Sequence, residues 1–201
     1  MKRLLFLFTV LLAPTAQAAP PKADHLVLMV FDQMRPEYID RFDLKNFKKL
    51  RARARQYPSA WLGHLAAETV VSHAVITTGR APKELPWQDE VFIDRKNLLG
   101  RGEGAAFSTG GMGADQLLTL LGTLPADAFL AHSIKKHLGG KVFAAGTKSY
   151  AAVIMGGPQA DAIITLKKTT GVCTPVGVNV PSYITTNERF RLECKDSYGT
   201  S

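Results

Sequence analysis

HLVLMVFDQMRPEY, residues 25–38, decides how this chain is read. Leu26 to Phe31 is an unbroken apolar run that ends on a carboxylate, Asp32. A run of that length without polar alternation predicts a strand covered on both faces by helices, as in a parallel sheet. Asp32 then stands at the strand's carboxyl end, and Pro36 suits the first turn of a following helix. Downstream, ETVVSHAVITTG, residues 68–79, predicts a turn into a short helix with Thr69 near its amino end. Free backbone N–H groups and the helix dipole favour an anion there. A carboxylate and a hydroxyl at two such chain ends can share a metal ion, which is the layout of a phosphate site.

Working outward, the amino terminus has Lys2 and Arg3, an apolar run from Leu4 to Leu12, and then Ala16-Gln17-Ala18. That order of charged region, apolar core and small-residue cleavage site predicts a secretory signal peptide over residues 1–18 and a periplasmic or secreted protein. The run is shorter than the ~18 apolar residues of a membrane-spanning helix, and no later segment approaches that length. The formal charge is +8, and removing Lys2 and Arg3 leaves +6. The densest basic stretch, KKLRARAR at 48–55, lies on a helical pattern with Leu44, Phe47, Leu50 and Ala54 along one side. It reads as a solvated helix face rather than a nucleic-acid patch, because no aromatic interleaving or binding motif accompanies it. Cys173 and Cys194 are the two cysteines. In an oxidising compartment they are expected to form a disulfide; neither has the close Cys or His neighbour of a zinc site.

A helix is expected over 44–54, a strand over Tyr57–Leu62, and loops from Arg80 to Asp115. Pro125 opens a further helix, with Phe129, Leu130, Ile134 and Leu138 on its apolar side and Gly139-Gly140 at its end. Lys141–Ala145, Ala151–Met155 and Ala162–Leu166 read as strands. Alternating strands and helices predict an α/β fold, a mainly parallel sheet between helix layers. The stretch GRGEGAAFSTGGMGAD from Gly100 lacks the Gly-Lys-Ser/Thr ending of a P-loop and reads as a surface loop.

Asp32, followed by Thr69, His73, Thr78 and Gly79 in a Thr-x-x-x-His-x-x-x-x-Thr-Gly stretch, resembles the type I phosphodiesterase and nucleotide pyrophosphatase branch of the alkaline phosphatase superfamily. AAGTKSYAAVIMGGPQADAIITL, residues 144–166, looks like that family's strand, Lys-bearing turn and Gly-Gly segment. The resemblance covers residues 24–201 and only the amino-terminal part of the family's architecture, so an incomplete alkaline-phosphatase-like domain is implied. It implies metal-dependent hydrolysis of phosphate esters, with Thr69 as nucleophile and metal ligand, Asp32 as ligand to a second metal, and two divalent ions, zinc by family habit, as cofactors. Lys148 is implied as a contact to the substrate phosphate. Relatives that cleave monoesters carry Lys-x-Arg there, whereas this chain has Lys148-Ser149-Tyr150. Tyr150 can donate one hydrogen bond but makes no bidentate charged clamp. Where relatives place a phosphoryl-binding Asn, this chain aligns Asp89, or Glu90 if spacing is counted strictly.

The plain alternatives are that Asp32 is a turn or capping residue and Thr69 an N-cap. His73 is expected to be a buried, hydrogen-bonded imidazole rather than a ligand. His132 and His137, five apart on a helix, do not face one ion together. The family's remaining metal ligands, an Asp-x-x-x-His pair, an Asp-His pair and a late His, have no counterpart after Thr69. The expectation is therefore a part of a longer enzyme, a truncated non-catalytic phosphate-binding domain, or a site completed by a second polypeptide. The leaving group and the choice between monoester and diester are not written in these residues.

Overall fold

The computed structural model describes residues 24–61, 63–169, 172–187 and 192–193. The predicted signal peptide and the Cys173–Cys194 pairing lie outside the described residues. The chain divides into two compact units, one up to Arg53 and one from Ala54.

In the first unit, residues 26–31 form no strand, contrary to the prediction from their hydropathy. Their side chains stay open to solvent, from 39 % exposed at Val30 to 70 % at Val27. An apolar run states how much a segment gains by burial, but a strand also needs a laterally paired neighbour, which the run itself does not specify. The chain then turns at Asp32 and Gln33, with Gln33 at φ 60°. Helix α1 (Tyr38–Arg41) and helix α2 (Lys45–Arg53) follow. The predicted helix over 44–54 is present, yet none of its residues is buried and Leu50 is exposed. Phe47 alone on that side finds a ring, meeting Phe31 edge-on at 4.9 Å. The two helices are held by Arg51 donating to both oxygens of Asp40 (2.6 and 2.9 Å). Lys48 reaches Asp43 at 2.8 Å. The Arg51 hydrogen bond holds the Asp40 carboxyl below its ordinary range. Helix α2 is thus the solvated cationic face that its sequence predicts.

The second unit begins without the strand expected over Tyr57–Leu62: residues 57–61 are turn and irregular chain, and 62 is not described. Helix α3 (Thr69–Thr78) follows. The region expected to be loop contains a hairpin of β1 (Val91–Asp94) and β2 (Ala105–Ser108). Phe92 and Asp94 point inward while Val91 and Ile93 point out, a period of two too short to stand out among the surrounding prolines and glycines. Helix α4 (Ala114–Leu121) comes next, then α5 (Leu130–Leu138). Helix α5 is entered through a 3-10 turn after Pro125 and stopped by Gly139 at φ 64°. The second sheet has the order β3-β4-β5-β6: β3 (Phe143–Gly146), β4 (Ala162–Thr169), β5 (Val172–Val178) and β6 (Leu192–Glu193). Strands β3 and β4 are parallel; β4–β5 and β5–β6 are antiparallel. The short helices α6 (Ser149–Gly156) and α7 (Ser182–Thr186) complete the unit. The fold is mixed α/β.

Residues 151–155, read as a strand, belong to helix α6. A run such as AAVIM does not distinguish strand from buried helix by periodicity. The parallel pairing of β3 with β4 decides it, because joining parallel neighbours needs a crossover, and α6 is that crossover. Gly156 permits the close fit. A Cβ there would stand 2.9 Å from Ile163 and 3.0 Å from Ala144, on the two parallel strands. The core lies around this unit: Val70, Val71 and Ala74 of α3, Leu117, Leu120 and Leu121 of α4, Val153 and Ile154 of α6, with Trp87 and Phe129 from the connections, all fully or almost fully buried.

Candidate functional site

Thr69 is the first residue of α3, and Glu68 takes the capping position with extended backbone (φ −92°, ψ 155°). The Glu68 side chain makes no capping bond; only its carbonyl enters the helix, accepting from Ser72 N at 2.9 Å. The N-cap alternative for Thr69 therefore falls to Glu68. His73, one turn on, is buried, and its Nδ1 lies 2.6 Å from the Thr69 carbonyl oxygen. A carbonyl only accepts, so Nδ1 carries a proton in this contact. The histidine ties down the main chain of the residue whose hydroxyl is of interest. This is the buried, hydrogen-bonded role expected of it.

The Thr78-Gly79 end of the motif has its own physical reason. Gly79 adopts φ 65° and its N–H donates to Val75 O at 2.8 Å, closing the helix with a left-handed residue. The Thr78 hydroxyl donates to Ala74 O at 2.6 Å and accepts from Arg80 N at 3.2 Å. The spacing from Thr69 to Gly79 is thus the length of one short helix, start to stop.

Glu68 does long-range work that sequence reading missed. Its Oε2 accepts from the backbone N–H of Glu90 at 2.9 Å. The carbonyl of the same Glu90 accepts from Thr109 N at 2.9 Å and from the Thr109 hydroxyl at 3.0 Å. Thr109 is fully buried. The chain at Glu90 is therefore gripped from both sides, which brings Asp89 and Glu90 beside the amino end of α3. No local pattern marks a bond spanning 22 residues. The one available hint is an acid directly before the candidate nucleophile. Glu68 and Asp89 are exposed and Glu90 is half-buried, so the positive end of the helix dipole is offset by neighbouring carboxylates.

Lys148 occupies the N-cap of α6, and Tyr150 lies in its first turn, partly buried against the core. Helices α3 and α6 pack together, and the Thr77 hydroxyl donates to Met155 O at 3.2 Å near their carboxyl ends. Thr69 and Lys148 thus stand at the starts of two helices that share a contact. Asp32 lies in the first unit, exposed, in the turn after the apolar run.

The two metal ions that the resemblance implies would each need several converging donors. Among the described residues, no three of His, Cys, Asp and Glu converge to hold an ion. A zinc ion takes about four ligands. Asp32 and Thr69 therefore do not make a complete metal site with the described residues.

No curated protein and no solved structure matches the chain. A family model does, over residues 26–98, and its description is Type I phosphodiesterase / nucleotide pyrophosphatase. Lys148 and Tyr150 lie beyond the matched stretch. The matched stretch holds Asp32, Thr69, His73, Thr78, Gly79 and Asp89, so over residues 26–98 the chain is similar to the type I phosphodiesterase / nucleotide pyrophosphatase family.

Proposed function

We propose that this protein takes part in phosphate-ester hydrolysis through Thr69, in an alkaline-phosphatase-like setting and in a periplasmic or secreted location. The family match over residues 26–98 carries the reading. The position of Thr69 at the open end of a buried helix, with its main chain pinned by His73, supports it. Attack by the Thr69 oxygen on phosphorus forms a Thr–O–P bond and breaks the bond to the leaving alcohol, which departs with the threonine proton. Water then cleaves the Thr–O–P bond and restores the hydroxyl. Lys148 is assigned to a phosphate oxygen and Asp89 and Tyr150 to the rim of the substrate site. The family is generally metal-dependent, and each of Asp32, in the first unit, and Thr69, in the second, carries an oxygen donor of the kind such a metal takes. Among the described residues no group of three His, Cys, Asp or Glu completes a metal site around either.

The same shortage of donors favours a second reading, binding of a phosphate group without turnover. Zinc-supplemented hydrolysis of an aryl phosphate diester and an aryl phosphate monoester, with Thr69→Ala in parallel, separates the two. Turnover that disappears in the variant supports the first. Calorimetric binding of inorganic phosphate with no turnover supports the second, and neither turnover nor binding would overturn both.

A further inference from the structure

The segment from Arg55 to Leu65, between the solvated basic helix and α3, has no regular structure among its described residues, yet it displays three large apolar side chains. Tyr57 is 70 % exposed, Trp61 90 % and Leu65 103 %. They recur every four residues, and none of the described residues covers them. Arg55 sits at the start of the segment with its guanidinium 5.8 Å from the centre of the Tyr57 ring. In sequence it is preceded directly by Lys48, Lys49, Arg51 and Arg53. Of this run, Lys48 and Arg51 are neutralised by Asp43 and Asp40. Lys49, Arg53 and Arg55 have no carboxylate partner among the described residues.

We propose that residues 55–65 dock this protein onto an anionic lipid surface. The chemistry is specific in two respects. Tyr and Trp side chains, apolar with a polar handle, settle at the headgroup level of a bilayer, where Leu65 adds apolar area that needs no internal partner. Arg55 beside them is drawn to negative headgroups, and a basic residue at such a surface strengthens partitioning roughly five-fold; Lys49 and Arg53 precede it in sequence. A basic run without exposed aromatics suits any polyanion, and exposed aromatics without charge suit any apolar surface. Their continuity along one short stretch suits an anionic interface. No helix of the described residues is long and apolar enough to cross a membrane, and the contact proposed for residues 55–65 is a peripheral one. The attachment is independent of the hydrolytic reading, since none of these side chains belongs to the Thr69 site.

The test uses the two tryptophans. Trp87 is fully buried and Trp61 almost fully exposed, so a change in tryptophan emission on adding vesicles reports on Trp61. The chain is titrated with vesicles of neutral phosphatidylcholine and with vesicles that also contain an anionic phospholipid, and bound protein is collected by flotation. The expected result is a blue shift and co-flotation with anionic vesicles only, weakened about five-fold by Arg55→Gln and weakened also by raised salt. Trp61→Ala with Leu65→Ala should abolish flotation while leaving the far-ultraviolet circular dichroism unchanged. Failure to bind anionic vesicles, equal binding to neutral ones, or binding that survives the Trp61 and Leu65 changes would each overturn the proposal. Self-association that sequesters Trp61 without vesicles would also overturn it, assigning the segment to a protein contact.

Discussion

Two apolar stretches of this chain meet opposite fates. The helix α3 that starts at Thr69 buries Val70, Val71 and Ala74 completely, whereas Leu26 to Phe31, the more uniformly apolar stretch, buries none of its side chains. Hydropathy measures what a segment gains by leaving water. It does not supply the neighbours. Helix α3 closes its own backbone hydrogen bonds and needs only faces to pack against, which α6 provides. A strand needs a partner for its edges as well as its faces, and residues 26–31 form none.

The largest effect expected from this contrast is in paired truncations. Ile154→Ala, at a fully buried position of α6, should cost about 2–5 kcal/mol in urea unfolding. Leu28→Ala should change stability by less than about 0.5 kcal/mol. Comparable losses at both sites would break the comparison by showing the 26–31 run to be buried in solution.

Gly156→Ala sharpens the same contrast. The added methyl would press on Ile163 and Ala144, and relief requires α6 to move off the parallel strands. A loss of about 1–3 kcal/mol is expected. Full tolerance would mean that the helix is not seated on β3 and β4 as described.

Acidification should then weaken the second unit in a defined window. The Asp161 carboxyl accepts from Val142 N at 2.7 Å and pairs with Lys135 at 3.1 Å, and these hold its pKa below the ordinary 3.8. Burial would push the Asp94 carboxyl up, but the N–H groups of Leu99, Leu98 and Lys96 outweigh it and lower its pKa as well. A depressed folded-state pKa contributes stability that is complete above the unfolded value and is lost as pH falls through the folded one. Thermal midpoints followed from pH 5 downward (a starting point about one unit above that value) should therefore drop below 3.8. Asp161→Asn should remove part of that drop, and an unchanged acid limb would contradict the assignment.

The smallest effect belongs to Ser72. Its hydroxyl is buried in α3 with no hydrogen-bond partner among the described residues. Ser72→Ala removes an unpaired polar atom and adds helix propensity, so stability should hold within about 0.5 kcal/mol or rise. A loss above about 1 kcal/mol would reveal a partner for that hydroxyl.

Much of the second unit was legible because local chemistry marks its ends. Pro125 and Gly139 bracket α5, and Thr69 and Gly79 bracket α3. Apolar runs located β3 and β4. What escaped reading depends on distant partners. Residues 151–155 looked like a strand until the parallel pairing of β3 and β4 required a crossover there. The β1–β2 hairpin has only one inward aromatic from each strand, Phe92 and Phe107, to betray it. Around Thr69, the start and the Thr-Gly stop of α3 could be read from residue types and spacing, whereas roles for Asp32, Thr69 and Asp89 were implied only by resemblance to a family pattern. The grip of Glu68 and Thr109 on the main chain of Glu90 could not, since backbone groups at that separation leave no trace in residue types.

In the proposed reaction the Thr69 oxygen attacks phosphorus. The most direct measurement is mass spectrometry of peptides from the chain, quenched in acid during zinc-supplemented incubation with an aryl phosphate diester. The account predicts a phosphorus adduct on the peptide that begins α3, located at Thr69 and absent from Thr69→Ala. Hydrolysis with Thr69 unmodified, or an adduct on any other residue, would contradict it.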